Sequence, residues 1–375
     1  MDNGDPIMKN TPKIRYRIAV ELYEIRNRNV GLGEFAHQLG AHLAARAAEL
    51  EREHGIRFYF IVPRGYKGIF GNDVRYFEVP YAIRKLVRYL PLGMDICHLT
   101  HQFSRIKYML FARHNLLTVH DINFIYEKTG YKLEHYTKRF RRRLSRVDRL
   151  SYITRFVRED VARHFAPKLP GRIVYNGVTD LSKQYPVKAD LGRFGLPDDY
   201  LLHISSLMPK KNPDLLVEMM ASLPEERLVI VGNWNREYGQ RILARIAALG
   251  LTNITTLDHV SDAEKAALYA GCRGFLFPSQ CEGFGLPPLE AMYFGKPVFL
   301  STLTSLPEVG GPAACYYDSL DPEAMAEVTR RGLGAFYADA TRSAEAVRNW
   351  ARRFDWAKCA DEYIAYYLDI LQGAR

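Results

Sequence analysis

Cysteine is scarce in this 375-residue chain, and its five cysteines form no Cys-x-x-Cys pair. That low and scattered count argues against a disulfide framework and indicates reduced thiols. No apolar run approaches the ~20 residues that a membrane-spanning helix needs. The opening residues, Met-Asp-Asn-Gly-Asp-Pro, lack the apolar stretch of a secretory signal. Together these absences predict a cytoplasmic protein without a membrane-spanning segment.

Charge, by contrast, is abundant and unevenly distributed. Residues 1–190 contain 34 Lys and Arg against 19 Asp and Glu, a net charge of +15. Residues 191–375 contain 18 against 23, a net charge of −5, so the two halves sum to the chain's +10. A basic half favours an anionic partner such as a membrane surface, a lipid diphosphate or a nucleic acid. The length of the chain suits two domains.

The most informative stretch runs from Gly274 to Met292. Its apolar start, closed by Pro278, predicts a buried strand, and Pro287 and Pro288 suit the first turn of a helix. A Gly-Phe-Gly turn lies between the two elements. A strand, a glycine turn and a helix start together typically bind phosphate, because free backbone N–H groups and the helix dipole point at the anion.

Two carboxylates accompany this turn, Glu282 in the loop and Glu290 in the helix. Both can face a ligand whose phosphate lies on the helix end, and carboxylates accept hydrogen bonds well from the vicinal hydroxyls of sugars. The pattern Pro-Ser-x-x-Glu-Gly-Phe-Gly-Leu-Pro-x-x-Glu-Ala-Met resembles the signature of the retaining GT-B glycosyltransferases of family 4, the group 1 enzymes that include bacterial mannosyltransferases. The alternative is an ordinary strand–loop–helix with a capping carboxylate.

The resemblance implies a role for each of these positions. Glu282 is expected to contact the transferred sugar, and Glu290 is expected to hold the ribose of the nucleotide. Further donor contacts are expected from the turn and the start of the helix, at Gly283, Phe284, Gly285 and Leu286.

A lysine pair stands upstream, in Met-Pro-Lys-Lys-Asn-Pro at residues 208–213. It resembles the family's Pro-Arg-Lys-Asn, and two cations at a helix start can clamp a diphosphate. Some relatives carry an arginine nearer the strand end, where this chain has Ser205. Lys211, helped by Lys210, is therefore expected to neutralise the leaving diphosphate. The alternative is a solvated lysine pair. The His-Val-Ser-Asp run at 259–262 resembles the segment whose backbone holds the nucleobase, which adds Val260 to the expected contacts. Ser261 or Asp262 is expected to cap the helix that follows.

The first half resembles the family only in outline. Residues 15–20 predict a strand and residues 29–33 a glycine turn that precedes a long helix. There Gly31 and Gly33 would let the backbone approach the donor diphosphate or the acceptor, unless the turn merely packs the helix on the sheet.

A second candidate contact in the first half follows the strand predicted at residues 116–119. His120 and Asp121 stand at its carboxyl end, where α/β folds place ligands. The resemblance implies that His120 lies near the sugar 6-position as a polar contact or proton carrier. Asp121 is expected to orient His120 or to cap the following segment. The alternative is a loop histidine without a role.

Two basic segments of the first half, residues 84–90 and 138–149, also contain apolar residues. In the second, Phe140, Leu144 and Val147 predict one apolar stripe along a basic helix. Such a helix can lie on an anionic membrane, although a solvated helix face is the usual alternative.

The alternation of strands and helices predicts an α/β protein. The resemblance implies the GT-B class, with two doubly wound Rossmann-like domains facing across a cleft. Residues 1–183 form the expected acceptor domain and residues 184–353 the nucleotide-sugar domain. Residues 354–375 form a helix that is expected to cross back to the first domain. No Asp-x-Asp occurs, so no metal site is expected. No cofactor is expected either, since a nucleotide sugar such as GDP-mannose would be the substrate.

The expected function is retaining transfer of a mannose-like hexose to a glycan or lipid-linked acceptor, in bacterial surface polysaccharide or lipopolysaccharide synthesis. The protein is expected in the cytoplasm, on the inner face of the cytoplasmic membrane, without a nucleic-acid partner. Three other readings stay open at this point: a GT-B enzyme of other chemistry, such as a phosphorylase or sugar-nucleotide epimerase; a basic nucleic-acid-binding protein; and a catalytically silent subunit.

Overall fold

Two parallel β-sheets organise the molecule. The computed structural model describes residues 13–27, 31–186 and 189–373. Seven strands, β1 to β7, form the first sheet: Tyr16–Glu21, Ile56–Pro63, Arg75–Val79, Ile96–Leu99, His114–Val119, Arg149–Tyr152 and Gly171–Ile173. Six strands, β8 to β13, form the second: Leu201–Ile204, Leu228–Val231, Ile254–Leu257, Gly274–Phe277, Val298–Ser301 and Cys315–Tyr317.

The first sheet has the order β3-β2-β1-β4-β5-β6-β7, and all its neighbours pair in parallel. Parallel neighbours require crossover connections. Here the crossovers include five helices, α1 to α5: Gly31–Ala45, Ala47–His54, Phe124–Glu127, Gly130–Leu144 and Arg155–Phe165. A sixth helix, α6, Leu181–Gln184, follows β7. The strand order reverses between β1 and β4, a switch point of the kind where open α/β sheets bind ligands beyond the carboxyl ends of their strands.

The second sheet has the order β10-β9-β8-β11-β12-β13, again parallel throughout. Its switch point lies between β8 and β11, where Leu201 pairs with Gly274. Eight helices accompany and follow it, α7 to α14: Pro213–Ala221, Glu237–Ala248, Asp262–Gly271, Leu286–Tyr293, Leu306–Gly310, Pro322–Ala338, Ala340–Ala351 and Trp356–Gly373. None of the helices within the described ranges is long and apolar enough to cross a membrane.

Helix α14 follows the second sheet in sequence but packs against the first. Its tyrosines join the same buried cluster as the strands β1 and β2. Tyr367 Oη is hydrogen-bonded to His98 Nδ1 at 2.7 Å, and Tyr363 Oη to Thr118 Oγ1 at 2.9 Å. Both contacts lie in the interior, so they tie the helix to strands β4 and β5. The domain boundaries at residues 183 and 353 stay a prediction.

The predicted glycine turn at residues 29–33 was wrong in part. Residues 29 and 30 lie outside the described part of the chain, and helix α1 already begins at Gly31. Gly33 therefore lies in the first helical turn. A Cβ on Gly33 would stand 2.0 Å from the carbonyl oxygen of Asn27, so a side chain there would push α1 away from the preceding 3₁₀ turn.

The prediction of a membrane-facing apolar stripe on the helix at 138–149 was also wrong. Phe140 and Val147 are buried in the same hydrophobic cluster. Arg143 is buried beside them and donates to the carbonyl oxygen of Ser104 at 3.0 Å. The stripe of α4 is thus the packing face of an amphipathic helix against its own sheet, which is the commonest use of such a pattern.

Candidate active site

The turn before helix α10 has the shape that the sequence predicts. Gly285 adopts a left-handed conformation with φ of 111° and caps the helix that begins at Leu286. The loop is held from below by Ser305, whose hydroxyl lies 3.0 Å from the carbonyl oxygens of both Glu282 and Phe284. The first N–H groups of α10 have no partners within the helix. The role of this end as a phosphate site stays a prediction.

Lys211 and Glu282 form an ion pair in this region. Lys211 ends a 3₁₀ turn that follows strand β8, while Glu282 lies in the loop after β11, so the switch point of the second sheet brings them together. Their side chains are only 15% and 12% exposed. The two loops are joined by Asn212, whose Nδ2 donates to the carbonyl oxygen of Pro278 at 2.8 Å. Lys211 therefore lies against Glu282, the carboxylate for which the sequence predicts a contact with the sugar.

Lys210 points to a different partner. Its Nζ lies 2.7 Å from Oε1 of Glu127 at the end of α3, in the first half of the chain. Burial lowers the pKa of Lys210, but the hydrogen bond and charge of Glu127, together with the charges of Glu282 and Asp121, raise it overall. The two adjacent lysines therefore have different partners. Lys211 pairs with Glu282 in the second half, and Lys210 pairs with Glu127 in the first half.

Glu290 has two partners that the sequence analysis missed. Lys265 Nζ lies 3.3 Å from Glu290 Oε1, and the hydroxyl of Tyr269 donates to Oε2 at 2.9 Å. Both partners come from helix α9, whose N-cap Ser261 forms a capping box with Glu264. The cap at Ser261 was among the predictions and is confirmed. The helical spacing of Lys265 and Tyr269 puts both on one face, which was the available signal, but nothing in sequence relates that face to Glu290.

The other predicted contacts of the second half flank these pairs. Ser205 follows β8, and its Oγ lies 2.9 Å from His203 Nε2 and 3.2 Å from the backbone nitrogen of Leu207. Val260 is half-buried just before the cap of α9. These residues and the two ion pairs follow the carboxyl ends of strands β8, β10 and β11, so one edge of the second sheet carries them all.

His120 lies on the opposite wall, after strand β5. It is buried, packs edge-on against Phe35 of α1, and its Nε2 donates to the carbonyl oxygen of Thr100 at 2.8 Å. Burial lowers the pKa of His120 to about 4. The ring is therefore neutral at pH 7, and its Nδ1 is the nitrogen left to accept a hydrogen bond.

Asp121 caps the next segment, one of its two predicted uses. Its Oδ1 accepts from the backbone N–H of Asn123 at 3.1 Å. His120 is instead oriented by Gln102, whose Oε1 accepts the backbone N–H of His120 at 3.0 Å. Gln102 also donates to the carbonyl oxygen of Asp121 at 2.8 Å. Gln102 is therefore a further cleft residue that the sequence analysis missed.

The two walls touch through glycines. A Cβ on Gly283 would stand 2.1 Å from the carbonyl oxygen of His120, and one on Gly31 would stand 3.6 Å from Leu286 Cδ1. Thr154 adds a hydrogen bond of 3.2 Å to the carbonyl oxygen of Gly283. The starts of α1 and α10 therefore face each other, with Glu282 beside the contact in sequence.

Glu34 brings a carboxylate to the same place from the first half. It accepts hydrogen bonds from Gln38 and Thr179 at 2.9 and 2.7 Å, and its charge contributes to a raised pKa of Lys265. Burial opposes that rise, and Glu290 and Asp262 contribute more to it than Glu34 does. Glu34 therefore brings an acid to the cleft from the first turn of α1.

A family comparison bears on this edge of the second sheet. Residues 192–333 match the family described as glycosyl transferases group 1. The match contains both ion pairs, Lys211 with Glu282 and Lys265 with Glu290. Residues 192–333, less than half of the chain, are therefore similar to the group 1 glycosyltransferases. The sequence resemblance to that family is thereby confirmed, and the first half lies outside the matched region.

Two relatives of the group 1 region, both from Escherichia coli, are mannosyltransferases by name. The serotype-specific mannosyltransferase WbdA is 32% identical over 192 residues, which cover 49% of this chain and 23% of WbdA. The O-antigen chain mannosyltransferase B is 34% identical over 175 residues, which cover 45% of either chain. The similarity thus spans less than half the length of these relatives.

The whole chain resembles solved structures in fold. The sucrose-phosphate synthase of Thermosynechococcus elongatus superposes with a TM-score of 0.73 at 19% identity, covering 96% of this chain and 100% of that one. Two doubly wound parallel sheets whose strand ends face each other are the GT-B architecture. The predicted fold class is confirmed.

Proposed function

We propose that this protein transfers a mannose-like hexose from a nucleoside-diphosphate sugar, such as GDP-mannose, to a hydroxyl of a glycan or lipid-linked acceptor. The observation that carries the proposal is the pair of lysine–carboxylate contacts, Lys211 with Glu282 and Lys265 with Glu290, beside the start of α10. The names of the E. coli relatives support mannose and surface polysaccharide synthesis.

In the proposed reaction, the donor diphosphate lies on the free N–H groups of α10, where the helix dipole favours negative charge. Lys211 then neutralises the charge that grows on the leaving diphosphate as the glycosidic C–O bond breaks. Glu282 contacts the sugar, and Glu290 accepts hydrogen bonds from the ribose hydroxyls. Ion pairs in a site of low exposure are expected to rearrange little when a donor binds, which favours preorganised stabilisation.

The stereochemistry belongs to the proposal as well. We expect an oxocarbenium-like transition state in which the acceptor hydroxyl attacks the face that the diphosphate leaves, so that the anomeric configuration is retained. The diphosphate oxygen is then the nearest base for the acceptor proton. Neutral His120 would accept a hydrogen bond from the sugar, and no metal ion is required.

The location is a proposal too. We place the protein in the cytoplasm, on the inner face of the cytoplasmic membrane, where lipid-linked acceptors are exposed. The net charge of +15 in residues 1–190 supports this location, because the cytoplasmic leaflet carries anionic lipids.

A thermal-shift panel of nucleoside diphosphates and nucleotide sugars tests the donor proposal. A ligand that binds only the folded protein raises its melting temperature. At a ligand concentration of a hundred times Kd, the free energy of unfolding increases by about 2.7 kcal/mol. We expect one nucleotide class to stabilise the wild type, and we expect Glu290→Gln to reduce that stabilisation to about half at the same ligand concentration. Glu323→Gln, an exposed position at the start of α12, is the matched control and should keep it. A panel without any stabilising nucleotide would overturn the proposal.

A further inference from the structure

Large apolar side chains are exposed in one region far more than elsewhere. Among the described residues, seven of the twelve exposed large hydrophobic side chains lie between residues 81 and 111. We name them the 81–111 surface: Tyr81, Ile83, Leu86, Tyr89, Leu90, Leu110 and Phe111. Leu86 and Phe111 are each 58% exposed. An exposed apolar group of this size usually marks an interaction site.

The 81–111 surface is built from two segments that hold each other. The first contains two short 3₁₀ turns, Tyr81–Ile83 and Val87–Tyr89, and the second precedes strand β5. The backbone N–H of Leu110 donates to the carbonyl oxygen of Arg88 at 2.9 Å. Val87 and Met109 are buried and anchor the two segments in the core. The exposed side chains therefore project from a packed support.

Positive charge surrounds these apolar groups. Residues 81–113 contain six Lys and Arg but a single acid, Asp95. Asp95 is already engaged, since it accepts the backbone N–H of Arg17 at 2.8 Å. Burial lowers the pKa of Lys107, and the nearby cations Arg88 and Lys85 lower it further. The surface thus combines apolar side chains with an excess of cationic side chains.

Two arginines are arranged to serve such a mixed surface. Arg84 stacks on the ring of Tyr81 with its guanidinium carbon 3.4 Å from the ring centroid, and Arg88 stacks on Tyr89 at 4.3 Å. Each cation is held beside an exposed ring by a cation–π contact. Tyrosine and arginine are side chains with an apolar body and a polar end, suited to the boundary between water and lipid.

We propose that the 81–111 surface docks on an anionic lipid bilayer. The leucines and Phe111 enter the headgroup region, while Arg84, Lys85 and Arg88 contact lipid phosphates. The proposal deepens the peripheral location given above by naming the surface responsible, and it rests on that location only for its biological setting. Membrane binding itself requires no donor and no turnover.

Charge and shape favour a bilayer over other occupants. Single-stranded nucleic acid would use aromatic side chains for stacking, but Ile83, Leu86 and Leu110 are aliphatic and have no base-stacking role. A second copy of this chain would bring a second positive surface against the first, which repulsion disfavours. An anionic bilayer satisfies both components at once.

The 81–111 surface also adjoins the first wall of the cleft. Arg105 contacts Tyr81 Oη at 3.5 Å and forms an ion pair of 3.4 Å with Glu24. Glu24 belongs to the 3₁₀ turn against which Gly33 packs at the start of α1. Docking by this surface would therefore bring the first wall of the cleft towards molecules carried in the membrane.

Sedimentation with vesicles of phosphatidylcholine and phosphatidylglycerol tests the proposal directly. Wild-type protein should bind these vesicles, bind pure phosphatidylcholine far less, and be released as salt screens the charges. Leu110→Ser/Phe111→Ser should lower the partition coefficient by about tenfold or more, because the inserted apolar area is lost. Arg84→Glu/Lys85→Glu should lower it by about a hundredfold, because attraction becomes repulsion.

Matched variants keep the test interpretable. Tyr131→Ser/Tyr337→Ser removes exposed rings elsewhere, and Arg331→Glu/Arg342→Glu reverses exposed charges on the second half; both should bind vesicles like the wild type. Every variant should keep wild-type melting and nucleotide binding, so loss of docking is separable from loss of folding or of the proposed enzyme site. Wild type that ignores anionic vesicles at low salt overturns the proposal. So does binding that both surface variants retain, or binding to RNA but not to vesicles.

Discussion

The two walls of the cleft differ in how they hold ionisable groups. On the second half, Lys211 with Glu282 and Lys265 with Glu290 form ion pairs that remain slightly exposed. On the first half, Glu21 and His120 are buried and bound to neutral partners. The hydroxyl of Ser104 donates to Glu21 Oε2 at 2.7 Å, and His120 donates to the backbone oxygen of Thr100.

Burial shifts the first-wall groups towards their neutral forms. It lowers the pKa of His120 to about 4 and raises the pKa of Glu21 to about 7. Desolvation has opposite signs for an imidazole and a carboxyl because it disfavours whichever form is charged. Under the proposed function we expect a division of labour: the second wall would meet the charge of a diphosphate, and the neutral ring of His120 on the first wall would face a sugar or an acceptor.

Lys211→Ala removes a cation from the second wall and should have the largest effect on transfer. We expect kcat to fall by about a hundredfold or more, because a preorganised cation at the leaving group is lost. Release of nucleoside diphosphate from the donor found by thermal shift gives the rate. Lys210→Ala is the control, and since Glu127 holds Lys210 we expect a loss of less than about tenfold. Near-normal turnover of Lys211→Ala would contradict the assignment.

Glu21→Gln tests whether the buried carboxyl of Glu21 on the first wall is neutral. With its folded-state pKa raised from 4.5 to about 7, Glu21 contributes stability that is present below pH 4.5 and lost as pH rises through 7. Glutamine removes that loss. The free energy of unfolding of the variant relative to wild type should therefore rise by about 2 kcal/mol between pH 5 and pH 8.

Urea unfolding at the two pH values measures this difference, and the shared histidines cancel in it. Glu323→Gln provides the exposed control and should show a difference that does not change with pH. A Glu21→Gln difference that is equally flat would show that Glu21 is ionised in the folded protein.

Glu290→Gln and Glu282→Gln should separate two roles on the same wall. We expect Glu290→Gln to weaken binding of the nucleoside diphosphate by about tenfold, as expected when a charged hydrogen-bond acceptor is lost. Glu282→Gln should leave that binding unchanged and slow transfer. Calorimetry with the diphosphate measures both. If the two variants bind it like the wild type, the ribose assignment is wrong.

Lys265→Met should give the smallest effect, a loss of about threefold in diphosphate affinity, because Tyr269 still holds Glu290 when the lysine is gone. Lys265 is expected to act through Glu290. The double variant Lys265→Met/Glu290→Gln should then bind no worse than Glu290→Gln alone, which a double-mutant cycle detects. Additive losses would instead assign Lys265 its own contact with the ligand.

Sequence predicted the second half well because its signals are local. The turn at Gly285, the prolines of α10 and the cap at Ser261 are each fixed by residues within a few positions. The strand that ends before the turn, β11, is a buried apolar run and was predicted for the same reason. Edge strands β3 and β13 were missed, since each is only partly buried and lacks such a run.

What sequence missed depends on segments that are distant along the chain. Lys265 meets Glu290, and Lys210 meets Glu127, only because strand order brings their loops together. The apolar stripe of α4 and the 81–111 surface show the same limit. Both contain apolar residues among cations, and only packing decides that Phe140 is buried while Phe111 is exposed.

Because α14 packs against the first sheet, the core of that sheet is completed only after α14 has been synthesised. The last strand of the first sheet ends at Ile173, but Trp356, Tyr363 and Tyr367 of α14 complete the core behind that sheet. At about 5–20 residues per second, the ribosome needs roughly 10–40 s to make the intervening chain. Throughout that time the nascent first sheet exposes the apolar face that α14 later covers. Chaperone demand during translation should therefore be set by the first half and relieved only when α14 emerges.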